Sequence, residues 1–389
     1  MPVLLHSEPK ASLVPSHNAY AHFRTSRACH RRFSGLVSTR QSREVGQRLI
    51  LRRALSRFVR RSHRFPYMRL KSSKRFLTVR MDVTNKCNLR CKMCPMRLSD
   101  QDPDRIWHDV DPDLFEKIRK QVFPRAKVVG LSCGAEPFCC EDLPRYLQQL
   151  WQADVPVTEL VTNGTLMTDR SMLPLLDYPP TSIFVSVDGA DPRTHARIRG
   201  GCDLELLLSN VRGLQEAKRR RGQRFPQLCV GVTLQRSNYD QLPGIVEIAS
   251  DLGAVSVGVV PLVPYQGLDV EDQAVDMQSP EIRGSLRNAR RTAEARGIDL
   301  VVPPTSSRSD TCPFLDSWVY IDPDGRVDPC PHWNVSEPLG NLTDQSFEEI
   351  WNGEAYSRLR KGHRQGELHG NCLLCPVMGS GERAEIPKV

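Results

Sequence analysis

No run of about 18 apolar residues occurs in this sequence, so nothing in it reads as a membrane-spanning helix. A secretory signal is missing too, because Pro2-Val3-Leu4-Leu5 is too short an apolar stretch to serve as one. Without export, the thirteen cysteines are not expected to form a disulfide framework; metal binding or redox chemistry in a reducing, cytoplasmic compartment fits them better. Acidic residues are nearly absent from residues 1–75, which hold 18 Lys/Arg against Glu8 and Glu44, a net of +16. The remainder carries 36 basic and 43 acidic side chains, a net of −7, so the overall charge of +9 resides entirely in the N-terminal extension. Few aromatics interleave with those arginines and the rest of the chain is acidic, which excludes nucleic acid as an expected partner.

Residues 1–43, rich in Ser, Arg, His and Pro, have no periodicity and are expected to be disordered. They read either as a transit peptide or as a start assigned too far upstream. From Glu44 to Arg64 an amphipathic helix is expected, with Val45, Leu49, Leu51, Leu55, Phe58 and Val59 on one face and arginines around it. Such a helix caps the domain behind it or makes peripheral contact with an anionic membrane.

From Phe76 the pattern changes to short apolar runs alternating with amphipathic stretches. Strands are expected at 77–83, 127–132, 157–162, 182–187, 228–234 and 255–260, and helices at 111–123, 142–152, 168–176, 203–219 and 240–252. Continuous apolar strands alternating with helices make a parallel α/β sheet. Directly after the first strand stands Cys87-Asn88-Leu89-Arg90-Cys91-Lys92-Met93-Cys94. A cubane [4Fe–4S] cluster takes four thiolates, so a loop offering three leaves one iron open. Structural zinc would call for a fourth ligand.

This CxxxCxxC loop resembles the signature of radical S-adenosylmethionine (SAM) enzymes, whose fold is a partial (β/α)6 TIM-like barrel. The resemblance implies that Cys87, Cys91 and Cys94 ligate a [4Fe–4S] cluster whose open iron binds SAM, and that SAM is cleaved to a 5′-deoxyadenosyl radical. Further matches fall at strand ends, where such barrels carry their chemistry. Cys133-Gly134-Ala135-Glu136-Pro137 resembles the GGEP motif, with Ala at the second Gly, and implies that Gly134 and Glu136 meet the SAM ammonium group. Asn163-Gly164 after the third strand is a SAM contact or an ordinary turn. Ser186 and Arg199 match a serine and an arginine that meet the ribose or carboxylate of SAM; a forked guanidinium suits a carboxylate. Met93 stands where many relatives place an aromatic against the adenine, and a thioether can replace it. His195 is expected on a helix surface and is assigned no chemistry.

After a helix at 281–296, the C-terminal part carries Cys312, a hairpin of 317–322 and 326–330 about Pro323-Asp324-Gly325 that ends in Cys330, a helix at 346–360, and Cys372-Leu373-Leu374-Cys375. The hairpin is expected to bring Cys330 close to Cys312. Four thiolates close a zinc site or ligate a cubane, and spacing does not choose between them. Gly325, Gly340-Asn341-Leu342 and Glu349-Ile350-Trp351-Asn352 resemble a SPASM/twitch extension, which implies one auxiliary [4Fe–4S] cluster on Cys312, Cys330, Cys372 and Cys375. Three regions are therefore expected: 1–75, a core of 76–297, and an auxiliary domain of 298–389. The other cysteines (Cys29, Cys133, Cys139, Cys140, Cys202, Cys229) lack metal-site spacing and are expected to be mostly buried hydrophobes.

The function implied is hydrogen abstraction from an organic substrate. A fully ligated auxiliary cluster suits net oxidation of a small molecule or sugar, with electrons exchanged through a flavodoxin or ferredoxin. Peptide or protein modification is the alternative, set lower because residues 1–75 do not resemble a winged-helix leader-binding domain. A zinc-stabilised binding protein is the non-catalytic alternative. Asp188, Glu159 and Asp299 are all available as a general base, with nothing to separate them.

Overall fold

The computed structural model describes residues 75–99, 105–265, 267–302, 312, 314–330, 333 and 338–373. The expected N-terminal helix, Cys29 and Cys375 lie outside the described residues.

The elements run β1 Leu77–Met81, α1 Pro112–Gln121, β2 Ala126–Leu131, α2 Leu143–Gln152, β3 Val157–Thr162, α3 Leu173–Asp177, β4 Ser182–Ser186, α4 Pro192–Ile198, α5 Leu204–Arg220, β5 Gln227–Leu234, α6 Leu242–Asp251, β6 Ser256–Pro261, α7 Pro280–Arg296 and β7 Asp299–Val301. The C-terminal part adds β8 Trp318–Ile321, β9 Arg326–Asp328, β10 Gly340–Asn341, α8 Phe347–Asn352, α9 Glu354–Gln365 and α10 Gly370–Leu373. All ten strands form one open sheet in the order β10-β9-β8-β1-β2-β3-β4-β5-β6-β7, parallel from β8 to β7. This is the parallel sheet expected from the alternating pattern, open as in the partial barrel that the resemblance implies.

Several helices begin where the sequence supplies a side-chain cap. Asp111 accepts from Asp113 N and Leu114 N with Pro112 at the first position, and Asp203 and Ser279 cap α5 and α7 in the same way. The apolar face of α1 buries Phe115, which stacks on Tyr146 of α2 at 4.1 Å. That face packs on Leu77, Val79 and Met81, so the alternate β1 residues Thr78, Arg80 and Asp82 point away from the helices.

Two features depart from the sequence expectation. Strand β8 pairs in parallel with β1, Thr78 opposite Trp318 and Met81 opposite Ile321, so the C-terminal hairpin extends the core sheet. It covers what would otherwise be an open strand edge. Strand β7 likewise continues the sheet beside β6, so the boundary expected at 297/298 cuts through it. Locally, the helix expected over 168–176 shrinks to α3, because Thr168 and Ser171 close a hydroxyl-bonded turn (Thr168 N to Ser171 Oγ, 2.7 Å). The helix expected over 346–360 breaks at Gly353, where a Cβ would lie 2.6 Å from Glu349 O.

On the sheet face away from the helices, Arg80, Gly130 and Glu159 sit in register across β1, β2 and β3. Arg80 Nη2 lies 2.6 Å from Glu159 Oε2, and both side chains are at least 95% buried. Gly130 makes room: a Cβ there would fall 2.2 Å from Arg80 Nη1. Removing one member of a buried pair strands the other charge. Glu159→Leu is therefore expected to destabilise the fold by about 3–5 kcal/mol in urea unfolding, and a loss under about 1 kcal/mol would show that the pair is dispensable.

Candidate functional site

The site is assembled at the C-terminal ends of β1 to β4. Leaving β1, the chain is pinned by a Thr84–Asp109 bridge, by Val110 N to Val83 O at 2.9 Å, and by His108 N to Asn85 Oδ1 at 2.8 Å. The cysteine loop then curls under its own arginine, with Arg90 Nη1 donating to Cys87 O at 2.8 Å. Two other loops hold it in place: Glu136 N donates to Lys86 O and Lys92 N to Ile198 O, both at 3.0 Å. Gly200, at φ +60, lets the turn after α4 approach so closely that a Cβ would stand 2.2 Å from Arg90 O.

Asp82, 2% exposed at the end of β1, shapes the loop after β2. Its Oδ1 accepts from Cys133 N at 2.5 Å and Gly134 N at 3.1 Å, and its Oδ2 accepts from Tyr320 Oη of β8 at 2.8 Å. Burial raises its pKa against the pull of those donors. Ser132 takes a left-handed conformation (φ +76) at the turn and donates Oγ–H to Ala135 O at 2.7 Å.

Glu136 is buried and caps a short turn. Oε1 accepts from Thr162 Oγ1 (2.7 Å) and Phe138 N (3.2 Å), and Oε2 from Asn163 N (2.7 Å). Burial pushes its pKa up to about 7. The Asn163 amide is engaged at both ends, donating to Asn88 Oδ1 at 2.9 Å and accepting from Thr165 N at 2.9 Å. Gly164 adopts φ +76 in this turn, and the same turn stitches β3 to the cysteine loop.

After β4, Asp188 accepts from Arg199 Nε at 2.5 Å and from Thr233 N at 2.7 Å. Arg199 also hydrogen-bonds Cys91 and so stands between a carboxylate and a thiol. His195 is fully buried rather than on a helix surface, and its Nδ1 accepts from Asp188 N at 3.2 Å. Burial lowers its pKa to about 3, so it is a neutral structural group. Of the three carboxylates available as a base, Asp188 and Glu159 are locked in buried ion pairs.

The three loop cysteines and every residue expected to contact SAM line one cavity: Cys87, Cys91, Met93, Cys94, Gly134, Glu136, Asn163, Ser186 and Arg199. Trp107 also lines it, with Arg105 Cζ 3.9 Å and Arg90 Cζ 5.4 Å from its ring. Asp82, Tyr320 and Trp107 have no motif to announce them. The donor set suits a metal cluster. Burial raises all three thiols, Cys94 to about 12, and the neighbouring thiols add to the rise at Cys87 and Cys94. Bare thiolates are therefore disfavoured here, and a cationic centre would stabilise them. Among the described residues, no three His, Cys, Asp or Glu side chains converge on a single ion. A cubane asks for less convergence, since each of its thiolates binds a separate iron.

In the C-terminal part, Cys312 and Cys330 pack against the same small cluster of Leu315, Trp333 and Leu359. Cys372 lies 3.1 Å from His363 Nε2. Of the unpatterned cysteines, Cys133, Cys140, Cys202 and Cys229 are buried and Cys139 is half-buried.

Residues 81–242 match the family model of the radical SAM superfamily, and residues 312–376 match SPASM, an iron-sulfur cluster-binding domain. The AdoMet-dependent heme synthase of Methanosarcina barkeri is 27% identical over 319 residues, 76% of this chain and 86% of that protein. The PqqA peptide cyclase of Xanthomonas campestris is 27% identical over 317 residues, 77% of this chain and 79% of that protein. In fold, the chain is similar to Streptococcus suis SuiB bound to S-adenosylmethionine, with a TM-score of 0.61 at 14% identity over 78% of this chain and 72% of that one.

Tyr320→Phe removes one donor from a buried carboxylate. It is expected to cost about 1.5–3 kcal/mol and to speed amide exchange at Cys133 and Gly134, the groups that Asp82 holds. Unchanged exchange at those two amides would mean that Asp82 orders the loop without Tyr320.

Proposed function

The chain belongs to the radical SAM superfamily and carries a SPASM domain, and from that premise we propose that Cys87, Cys91 and Cys94 hold the [4Fe–4S] cluster that binds SAM. The observation that carries this reading is the meeting of three buried thiols, the Gly134–Glu136 loop and Arg199 around one cavity. When bound, the cluster supplies the electron that cleaves SAM to a 5′-deoxyadenosyl radical, which takes hydrogen from the substrate. The protein's part is to bind, orient and exclude. Arg199, tied to Asp188, offsets negative charge beside Cys91 and offers a guanidinium to the SAM carboxylate. Both Glu136 oxygens are occupied inside the fold, so its carboxylate orders the loop and a loop carbonyl is the better acceptor for the SAM ammonium group. Gly134 O, 3.9 Å from Cys94 Sγ, is suitably close to the thiols. Asn163 holds the cysteine loop through Asn88, Ser186 and Met93 line the same cavity and would meet the nucleoside, and Trp107 borders the mouth.

The substrate proposed is a peptide. Similarity to PqqA peptide cyclases supports the peptide-modifying alternative over the small-molecule or sugar oxidation expected from the sequence. Cys312, Cys330, Cys372 and Cys375 would hold auxiliary iron–sulfur, with a flavodoxin or ferredoxin as electron source and a reducing, cytoplasmic setting for the thiols. The core is read as 76–297 and the auxiliary domain as 298–389, joined through β7 and β8 in one sheet.

After anaerobic reconstitution about eight irons per chain are expected, falling to about four in the Cys87→Ala, Cys91→Ala, Cys94→Ala variant. Dithionite-driven formation of 5′-deoxyadenosine should vanish in that variant. Zinc in place of iron, or 5′-deoxyadenosine formed equally by both proteins, would refute the assignment.

A further inference from the structure

The end of α9 is built to bring one imidazole against one cysteine. The helix stops at Gly366 in a left-handed conformation (φ +78), and Glu367 N returns to Gly362 O at 2.8 Å. Gly362 permits that return, since a Cβ there would lie 2.7 Å from Glu367 O. The chain then doubles back as α10, which carries Cys372 to within 3.1 Å of His363 Nε2. His363 is 8% exposed, and its Nδ1 is buried with no hydrogen-bond partner among the described residues. His369, three residues before Cys372, lies tilted against Trp333 with ring centroids 4.8 Å apart.

We propose that His363 is a positioning residue for the auxiliary iron–sulfur centre, donating its Nε2–H to the Cys372 thiolate and thereby setting the centre's reduction potential. This rests on the reading above that Cys372 is a cluster ligand. A neutral imidazole carries one N–H. At Nδ1 that hydrogen would face no acceptor among the described residues, whereas at Nε2 it faces a sulfur that accepts once the thiol proton is gone. A hydrogen bond to a ligating sulfur favours the more negative, reduced cluster and so raises the potential. Nothing in the cysteine spacing asks for this contact; it follows from the turn at Gly366.

The test uses the full chain bearing Cys87→Ala, Cys91→Ala and Cys94→Ala, in which the remaining iron belongs to the auxiliary site. Iron and sulfide content and the midpoint potential, by EPR-monitored redox titration, are compared with His363 intact, with His363→Leu and with His363→Gln. All three should hold equal iron. His363→Leu should be harder to reduce by roughly tenfold in equilibrium constant, about 59 mV for one electron. His363→Gln, whose amide N–H can reach the sulfur, should stay near the parent value. An unchanged potential in His363→Leu with iron retained overturns the donor role while leaving the cluster reading intact. Iron lost from both His363 variants but kept by the parent also overturns it, making His363 a ligand or an assembly element. A parent with no iron refutes the cluster reading, and this inference falls with it.

Discussion

The site depends on one buried carboxylate. Asp82 stands where β1 ends, with the cysteine loop following it in sequence, the Cys133 amide on one oxygen, the Tyr320 hydroxyl on the other and the Gly134 amide shared between them. Three pieces of chain distant in sequence are thus fixed by a group that burial alone would drive towards its neutral form. Charge-assisted bonds from donors aligned on a carboxylate compensate for that burial. The consequence is mechanical. The loop after β2 cannot shift without breaking contact with β1 and with the C-terminal strand β8, so the two halves of the chain share one rigid rim.

Polar groups on the sheet face away from the helices follow the same logic at other levels. Arg80 and Glu159 neutralise each other beneath the rim, in space that Gly130 leaves empty. Asp188 and Arg199 do so at the rim, with Arg199 reaching on to Cys91. In both pairs each buried charge has a specific opposite, as a low-dielectric interior favours. Arg199 is the one whose second neighbour is a thiol lining the cavity, and this makes it part of the site as well as of the scaffold.

How far the sequence reached depended on how local each signal was. Strands β1 to β6 were legible because each is a continuous apolar run, and their ends agree with the structure within two residues. The Cys87, Cys91 and Cys94 loop was legible from its spacing, and Gly134, Glu136, Asn163, Ser186 and Arg199 from the resemblance that the loop carries; all of them line one cavity. The pairing of β8 with β1 was not legible: it joins Thr78 to Trp318, and no local pattern reports a parallel partner that far along the chain. Tyr320 was missed for the same reason. His195 shows the limit in another way, since the resemblance implies a helix-surface histidine here, whereas Gly189 lets the helix start pack directly on the β4 loop and buries the ring. The break at Gly353 and the return at Gly366, which brings His363 to Cys372, were equally silent, because a glycine in a helical pattern does not announce the direction in which the chain leaves.

The central claim is that Cys87, Cys91 and Cys94 hold a cluster with one iron left for SAM. Electron–nuclear double resonance on the reduced protein, with SAM labelled at its amino nitrogen and carboxylate oxygen, tests this most directly. The account predicts strong nitrogen and oxygen hyperfine couplings to the cluster, present whenever those three thiols are intact. A reduced cluster that shows no coupling to either label at saturating SAM would contradict it.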